Sequence, residues 1–459
     1  MPFQPRDRKT RMAAIGLRND GGLDHMECYD AEQRKDRKFL KTLKILLRPD
    51  AGSFPLLRNP EAGDWLSTRN GEDQTFKGYV KNHGHRRPNK RGYEPRKIYL
   101  LPLVASASDK KDLKGAGFPD SEALESIVTA FFCLPVVMLN PMTVKELPRN
   151  GKKIQTWHEE REATQYNARD ILRCLEARKP ADAHALMAFT MLDLSKPGYN
   201  YLFGLGSTTG AGVFSFFRQD PASAMCEFWN GTSERQEGDD EVLLNRASMT
   251  LCHELGHTLG LKHCTFFSCL MQGANSLEEA EDRGGCRLCP CCLRKLCWAV
   301  GASPETHYQA LLDHCTAWPG PFAEDLEWVA GRLSTLEAAR AHEADAAGSG
   351  GGGGHGGGGR GRGAPLRRGG PPICLGAGAA GDGAGVPISL PKLAAGQAKR
   401  LTAVTGTSVS LPAKPTKKPA VSAPARVLAL AGAAKSNSGT AGGVLGVGMS
   451  DLLAGLEAA

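Results

Sequence analysis

The run from Cys252 to Cys292 constrains this chain more than any other stretch. It opens Cys-His-Glu-Leu-Gly-His-Thr-Leu-Gly-Leu-Lys-His-Cys and closes Cys-Pro-Cys-Cys. His253 and His257 stand four residues apart, so on a helix both imidazoles leave one face a turn apart. That spacing lets two ring nitrogens reach one zinc ion at about 2.0–2.1 Å. Glu254 is placed to take a proton from a water held on the metal. Gly260 can adopt the positive φ that ends a helix, and the chain can then turn His263 back as a third ligand. Three protein ligands leave a fourth position open, the arrangement of a catalytic zinc rather than a closed structural one.

The run continues with Cys264 directly after His263, then Cys269, then Met271. Positions 272 to 288 separate Met271 from Cys289 and Cys292. The whole string, H-E-x-x-H-x-x-G-x-x-H-C-x4-C-x-M-x17-C-x-x-C, resembles the archaemetzincin motif at every signature position and gap. That resemblance implies a metzincin-like zincin with two Zn2+ per chain. One would be a catalytic zinc on His253, His257 and His263, and the other a structural zinc on Cys264, Cys269, Cys289 and Cys292. Met271 would be the Met-turn residue beneath the ligand plane. Cys286, Cys291 and Cys297 are spare thiols, and Cys286 with Cys289 is an alternative pair; the family spacing favours Cys289 and Cys292.

The activity implied is that of a zinc metallopeptidase on short peptides, with Glu254 as its catalytic residue and an aminopeptidase-like preference. No acidic anchor for a free amino terminus stands out in the sequence. The rival reading is a zinc-stabilised protein-binding module with little or no turnover, against which the retained Glu254 argues. The tyrosine that some metzincins carry just after the methionine has no counterpart, because Gln272 and Gly273 follow.

Charge bears on partners. The net charge is +8, but residues 1–100 carry 22 basic and 13 acidic side chains, and residues 348–459 carry 12 and 3. The central part is therefore net negative. A nucleic-acid enzyme would carry its positive field on the working domain, so the expected partner is a peptide or protein substrate. No apolar run approaches the ~18–20 residues of a membrane span, and the first residues lack the apolar core of a signal peptide. An intracellular setting, cytoplasm or nucleus, follows as an expectation. There the clustered cysteines read as metal ligands rather than disulfides.

Three regions are expected: a basic N-terminal extension over 1–95, a peptidase domain over 96–345, and a Gly/Pro/Ala-rich tail over 346–459. The tail cannot bury a core and reads as disordered, with a short docking helix for a partner near Ser450. In the extension, residues Phe39–Leu47 carry helical periodicity. The stretches Gly63–Leu66 and Gln74–Phe76 resemble segments ahead of the catalytic domain in eukaryotic archaemetzincins.

The domain itself reads as α/β with a mixed, mostly parallel sheet. Strands are expected at Ile98–Val104, Leu134–Leu139 and Ala185–Leu194. Helices are expected at Glu122–Phe132 with Ser121 as N-cap, at Asn167–Ala177, and from Asp239 through the histidines. The apolar run Gly212–Phe217 is the expected antiparallel edge strand of the cleft. Its residues Gly212, Val213, Phe214 and Ser215 are the candidates for main-chain bonds to an extended substrate.

Overall fold

The computed structural model describes residues 3–68, 73–83, 97–148, 153–158, 164–207 and 209–348. The tail beyond 348 and its docking segment lie outside the described residues. Among the described residues, nine strands run in chain order: β1 Lys97–Val104, β2 Val136–Met138, β3 Met142–Thr143, β4 Thr156–His158, β5 Thr164–Asn167, β6 Ala183–Thr190, β7 Asp193–Ser195, β8 Gly204–Gly206 and β9 Ala211–Ser215. The main sheet has the order β2-β1-β6-β9-β8, with β3 on the far end of β1. Every pairing in it is parallel except β8 with β9. A second sheet, β4-β5-β7, is mixed.

The sheet is buried on both faces, and its central strands alternate accordingly. Ile98 and Leu100 of β1, with Ala185, Met187 and Phe189 of β6, face the larger core. There they meet helices Ser121–Phe132 and Asp239–Thr258. Leu101, Leu103, Leu186 and Ala188 face the smaller core beneath helix Ala168–Glu176. The N-cap of Ser121–Phe132 is Asp120 rather than Ser121: its carboxylate accepts from Ala123 N at 2.9 Å, and a carboxylate also suits the positive end of the helix.

One sequence expectation is corrected here. Gly212, Val213, Phe214 and Ser215 do not form the sheet edge, because β9 is paired on one side with β6 and on the other with β8. All four are buried, and their main-chain groups have strand partners on both sides. The antiparallel edge is β8, one hairpin earlier. Tyr199–Leu205 and Gly212–Phe217 read from sequence as two apolar runs of one hairpin, and composition does not say which of the two takes the edge.

Residues 1–95 do not behave as a solvated extension where they are described. Met12, Ala14, Ile15, Leu43, Leu46, Phe76 and Tyr79 belong to the same core as the histidine helix. Arg294, fully buried, locks this segment down. Its guanidinium donates to Ile15 O, Gly16 O and Asp24 O at 2.7–2.9 Å, and lies 4.1 Å from the Phe76 ring centre. Charge-assisted bonds to three carbonyls make up for the water that a buried guanidinium loses.

Candidate metal centres and active site

The helix Asp239–Thr258 begins with Asp239, Asp240 and Glu241 at its positive end. Leu244, Ala247, Leu251, Leu255 and Leu259 form its buried stripe. It stops in a Schellman arrangement: Leu261 N donates to Gly256 O at 3.1 Å and Gly260 N to His257 O at 2.8 Å. Gly260 supplies the left-handed residue at φ 87°. The chain then reverses and delivers His263 beside the two helical histidines.

The three imidazoles offer ligand atoms that all lie within 4.8 Å of one another. His253 Nδ1 bonds Leu270 O at 2.7 Å, and His257 Nδ1 bonds Leu261 O at 2.6 Å. A ring nitrogen bonded to a carbonyl carries the proton, so both Nε2 atoms present lone pairs. They stand 3.0 Å apart, near the separation of two nitrogens on one tetrahedral ion at about 2.0–2.1 Å. Burial keeps these rings neutral, depressing His253 far below its ordinary range and His257 to about 4. This donor set fits a transition-metal ion such as zinc.

Met271 is fully buried below this site. A Cβ at Gly256 would lie 2.7 Å from its sulfur, so the glycine inside the His-Glu-Leu-Gly-His run makes room for the methionine. Met271 O accepts from Cys264 N at 2.7 Å, tying the methionine turn to the residue after His263.

Cys264, Cys269, Cys289 and Cys292 form the second donor group, with ligand atoms likewise within 4.8 Å of one another. Cys264 Sγ and Cys289 Sγ are 3.6 Å apart, close to the edge of a tetrahedron with metal–sulfur bonds of about 2.3 Å. Cys289 is the N-cap of helix Pro290–Val300 and Cys292 lies three residues on, so the helix dipole favours both thiolates. Cys286 stays out of the group and is in contact with Cys252, and Cys291 donates to Ala14 O at 3.3 Å. His307 and His314 are packed core residues, bonding Phe131 O and Ser126 Oγ.

Glu254 is 4% exposed, and burial pushes its carboxyl up to about 8 against the pull of Arg283. Arg283 has no counterpart among the sequence candidates. It is 3% exposed, and none of its three guanidinium nitrogens has a hydrogen-bond partner among the described residues. Its charge acts on Glu254, Glu279 and Cys269, and on His253 and His257. A fixed cation thus stands between the histidine and cysteine groups. Glu279 also accepts from Trp65 N and Asn275 N, whereas for Glu254 the charge of Arg283 is what opposes burial.

The chain is similar to several known proteins. The model of Peptidase family M54 matches residues 158–297. Archaemetzincin-2 of Pongo abelii is 32% identical over 339 residues, covering 69% of this chain and 89% of that protein. Archaemetzincin-2 of Macaca fascicularis is 38% identical over 342 residues with the same coverage. The crystal structure of the archaemetzincin from Methanopyrus kandleri is 25% identical, with a TM-score of 0.32, over 46% of this chain and 99% of that one. The chain belongs to the archaemetzincin family of zinc metallopeptidases.

Proposed function

We propose that this protein hydrolyses peptide bonds in short peptides, with His253, His257 and His263 holding a catalytic zinc and Glu254 moving the proton. The observation that carries this reading is the convergence of three imidazoles, with His253 and His257 neutral and presenting Nε2, beside a buried carboxyl. A zinc bound there would polarise the scissile carbonyl and acidify water at its open position. Glu254 would accept the proton from water and return it to the leaving amine. Burial raises its proton affinity, which suits the return of the proton, and a zinc beside it would favour the ionised form that takes it. Arg283 keeps enough positive charge nearby for the ionised form to exist. A second zinc on Cys264, Cys269, Cys289 and Cys292 has no open position and would be structural. A reducing, intracellular compartment keeps those thiols available to it.

The finer reading is aminopeptidase-like. The rival, a zinc-stabilised binding protein, draws on how closed the site is, with His253, Glu254 and His263 all nearly inaccessible. Incubating the zinc-loaded protein with a mixed peptide pool separates these readings, with Glu254→Ala at matched zinc content as control. Cleavage is expected to fall by at least about a hundredfold in the variant, in line with loss of a general base. Products shortened only from the amino end would establish the aminopeptidase. Equal cleavage by both proteins would remove Glu254 from the mechanism, and no cleavage by either would favour the binding protein.

A further inference from the structure

The loop that carries His263 has no helix or strand ladder to hold it, yet its main-chain groups are held. Gln74 Nε2 donates to Gly260 O at 2.9 Å, and Lys262 N donates to Gln74 Oε1 at 3.1 Å. One side-chain amide thereby grips the peptide units on both sides of Leu261. Leu261 O is the acceptor that fixes the ring of His257, and Lys262 leads directly into His263. On one flank, Tyr79 Oη donates to Leu259 O at 2.7 Å. On the other, Thr265 Oγ1 donates to Asp73 Oδ1 at 2.7 Å. The Trp65 ring packs 4.7 Å from that of His263. Gln74 is 9% exposed and Tyr79 fully buried, so water competes weakly for these bonds.

We propose that Gln74 is a positioning residue of the histidine site, the centre of a clamp (Asp73 to Tyr79) that sets the approach of His263 and the ring plane of His257. The inference rests on the reading of the three histidines as a zinc site. A donor and an acceptor on one rigid amide fix the spacing of the two loop groups as well as their presence. Asparagine, one methylene shorter, would fall short of both groups, and alanine would leave the loop held only at its flanks. Partners that orient metal ligands in this way typically contribute 10–100-fold in metal affinity. The cysteine site takes Cys264 and Cys269 from further along this loop, with Cys264 N bonded to Met271 O, and should be much less sensitive to Gln74.

The test uses the full chain loaded with zinc. Zinc per chain is counted by native mass spectrometry while a competing chelator is titrated in, for the wild type, Gln74→Ala, Gln74→Glu and Tyr79→Phe. Gln74→Ala is expected to release one zinc at roughly 10–100-fold lower chelator strength while the second stays. Gln74→Glu keeps the acceptor for Lys262 N but faces the Gly260 carbonyl with an oxygen, and should fall between the two. Tyr79→Phe keeps the ring and loses one flank bond, so its shift should be smaller and in the same direction; it decides the matter should Gln74→Ala not fold. Unchanged release of the weaker zinc, or parallel weakening of both, overturns the clamp. Wild-type protein that holds no zinc sensitive to His257→Ala would instead overturn the zinc reading itself.

Discussion

At the scale of single residues, the catalytic carboxyl and the buried cation have to be considered together. Burial raises Glu254 and Arg283 lowers it. A positive charge favours the ionised carboxylate, so removing that charge moves the titration of Glu254 further up. Arg283→Met should therefore move the rising limb of the kcat/KM–pH profile to higher pH. At neutral pH its kcat/KM should fall by roughly tenfold for every pH unit that the limb moves. Arg283→Lys should restore most of it. An Arg283→Met profile that overlies the wild type, at equal zinc content, would show that the cation is only packing. The ligands themselves were legible because their chemistry is written in local spacing: four residues on one helical face, a glycine, and three more. Arg283 was not legible for the converse reason. Nothing in Glu-Asp-Arg-Gly-Gly distinguishes a solvated arginine from one enclosed between two metal-ligand groups, since the enclosure comes from parts of the chain distant in sequence.

At the scale of elements, the sheet edge is where a substrate backbone can bind, and its position follows from pairing that sequence pattern does not encode. Gly212–Phe217 has the composition of a strand, and its first four residues lie in β9, but β8 covers it. Ser215 N donates to Phe203 O at 2.7 Å and Ser207 N to Ala211 O at 2.8 Å. In an antiparallel ladder this directs residues 203, 205 and 207 toward β9 and turns the N–H and C=O of Gly204 and Gly206 outward. An extended peptide that joins the sheet would bond to those two glycines. Gly206→Pro removes one outward donor while leaving the pairing with β9 in place. It should raise KM several-fold with kcat nearly unchanged, the mark of binding shared equally by ground and transition states. A matching fall in kcat, or no change in steady-state kinetics, would exclude β8 as the substrate strand.

At the scale of the whole molecule, the two donor groups answer to different demands. The histidine site sits at the end of a helix already fixed by its leucine stripe and the sheet, so the fold around it should survive loss of its metal. The cysteine site joins the loop after His263 to the start of helix Pro290–Val300, and that helix carries Arg294, which holds the N-terminal segment. Reading residues 1–95 as a polar extension missed this. Helices Arg8–Ile15 and Arg37–Leu46 are short, and what makes them core is a partner surface distant in sequence: helix Pro290–Val300 for the first, and helices Pro304–Ala317 and Ala323–Gly348 for the second. A structural zinc contributes about 10–16 kcal/mol of apparent binding energy, comparable with the ~5–15 kcal/mol total stability of a typical domain. Cys292→Ser should therefore unfasten regions far apart in sequence. Hydrogen exchange should show protection lost together over 286–300 and over 8–29, which Arg294 ties to it, while β1 and β6 remain protected longest. His257→Ala, which weakens the other site, should leave both regions protected. Were Cys292→Ser to lose protection only around 286–292, the N-terminal segment would be held by its own packing, and the cysteine zinc would be a local staple rather than the joint between the two ends of the described chain.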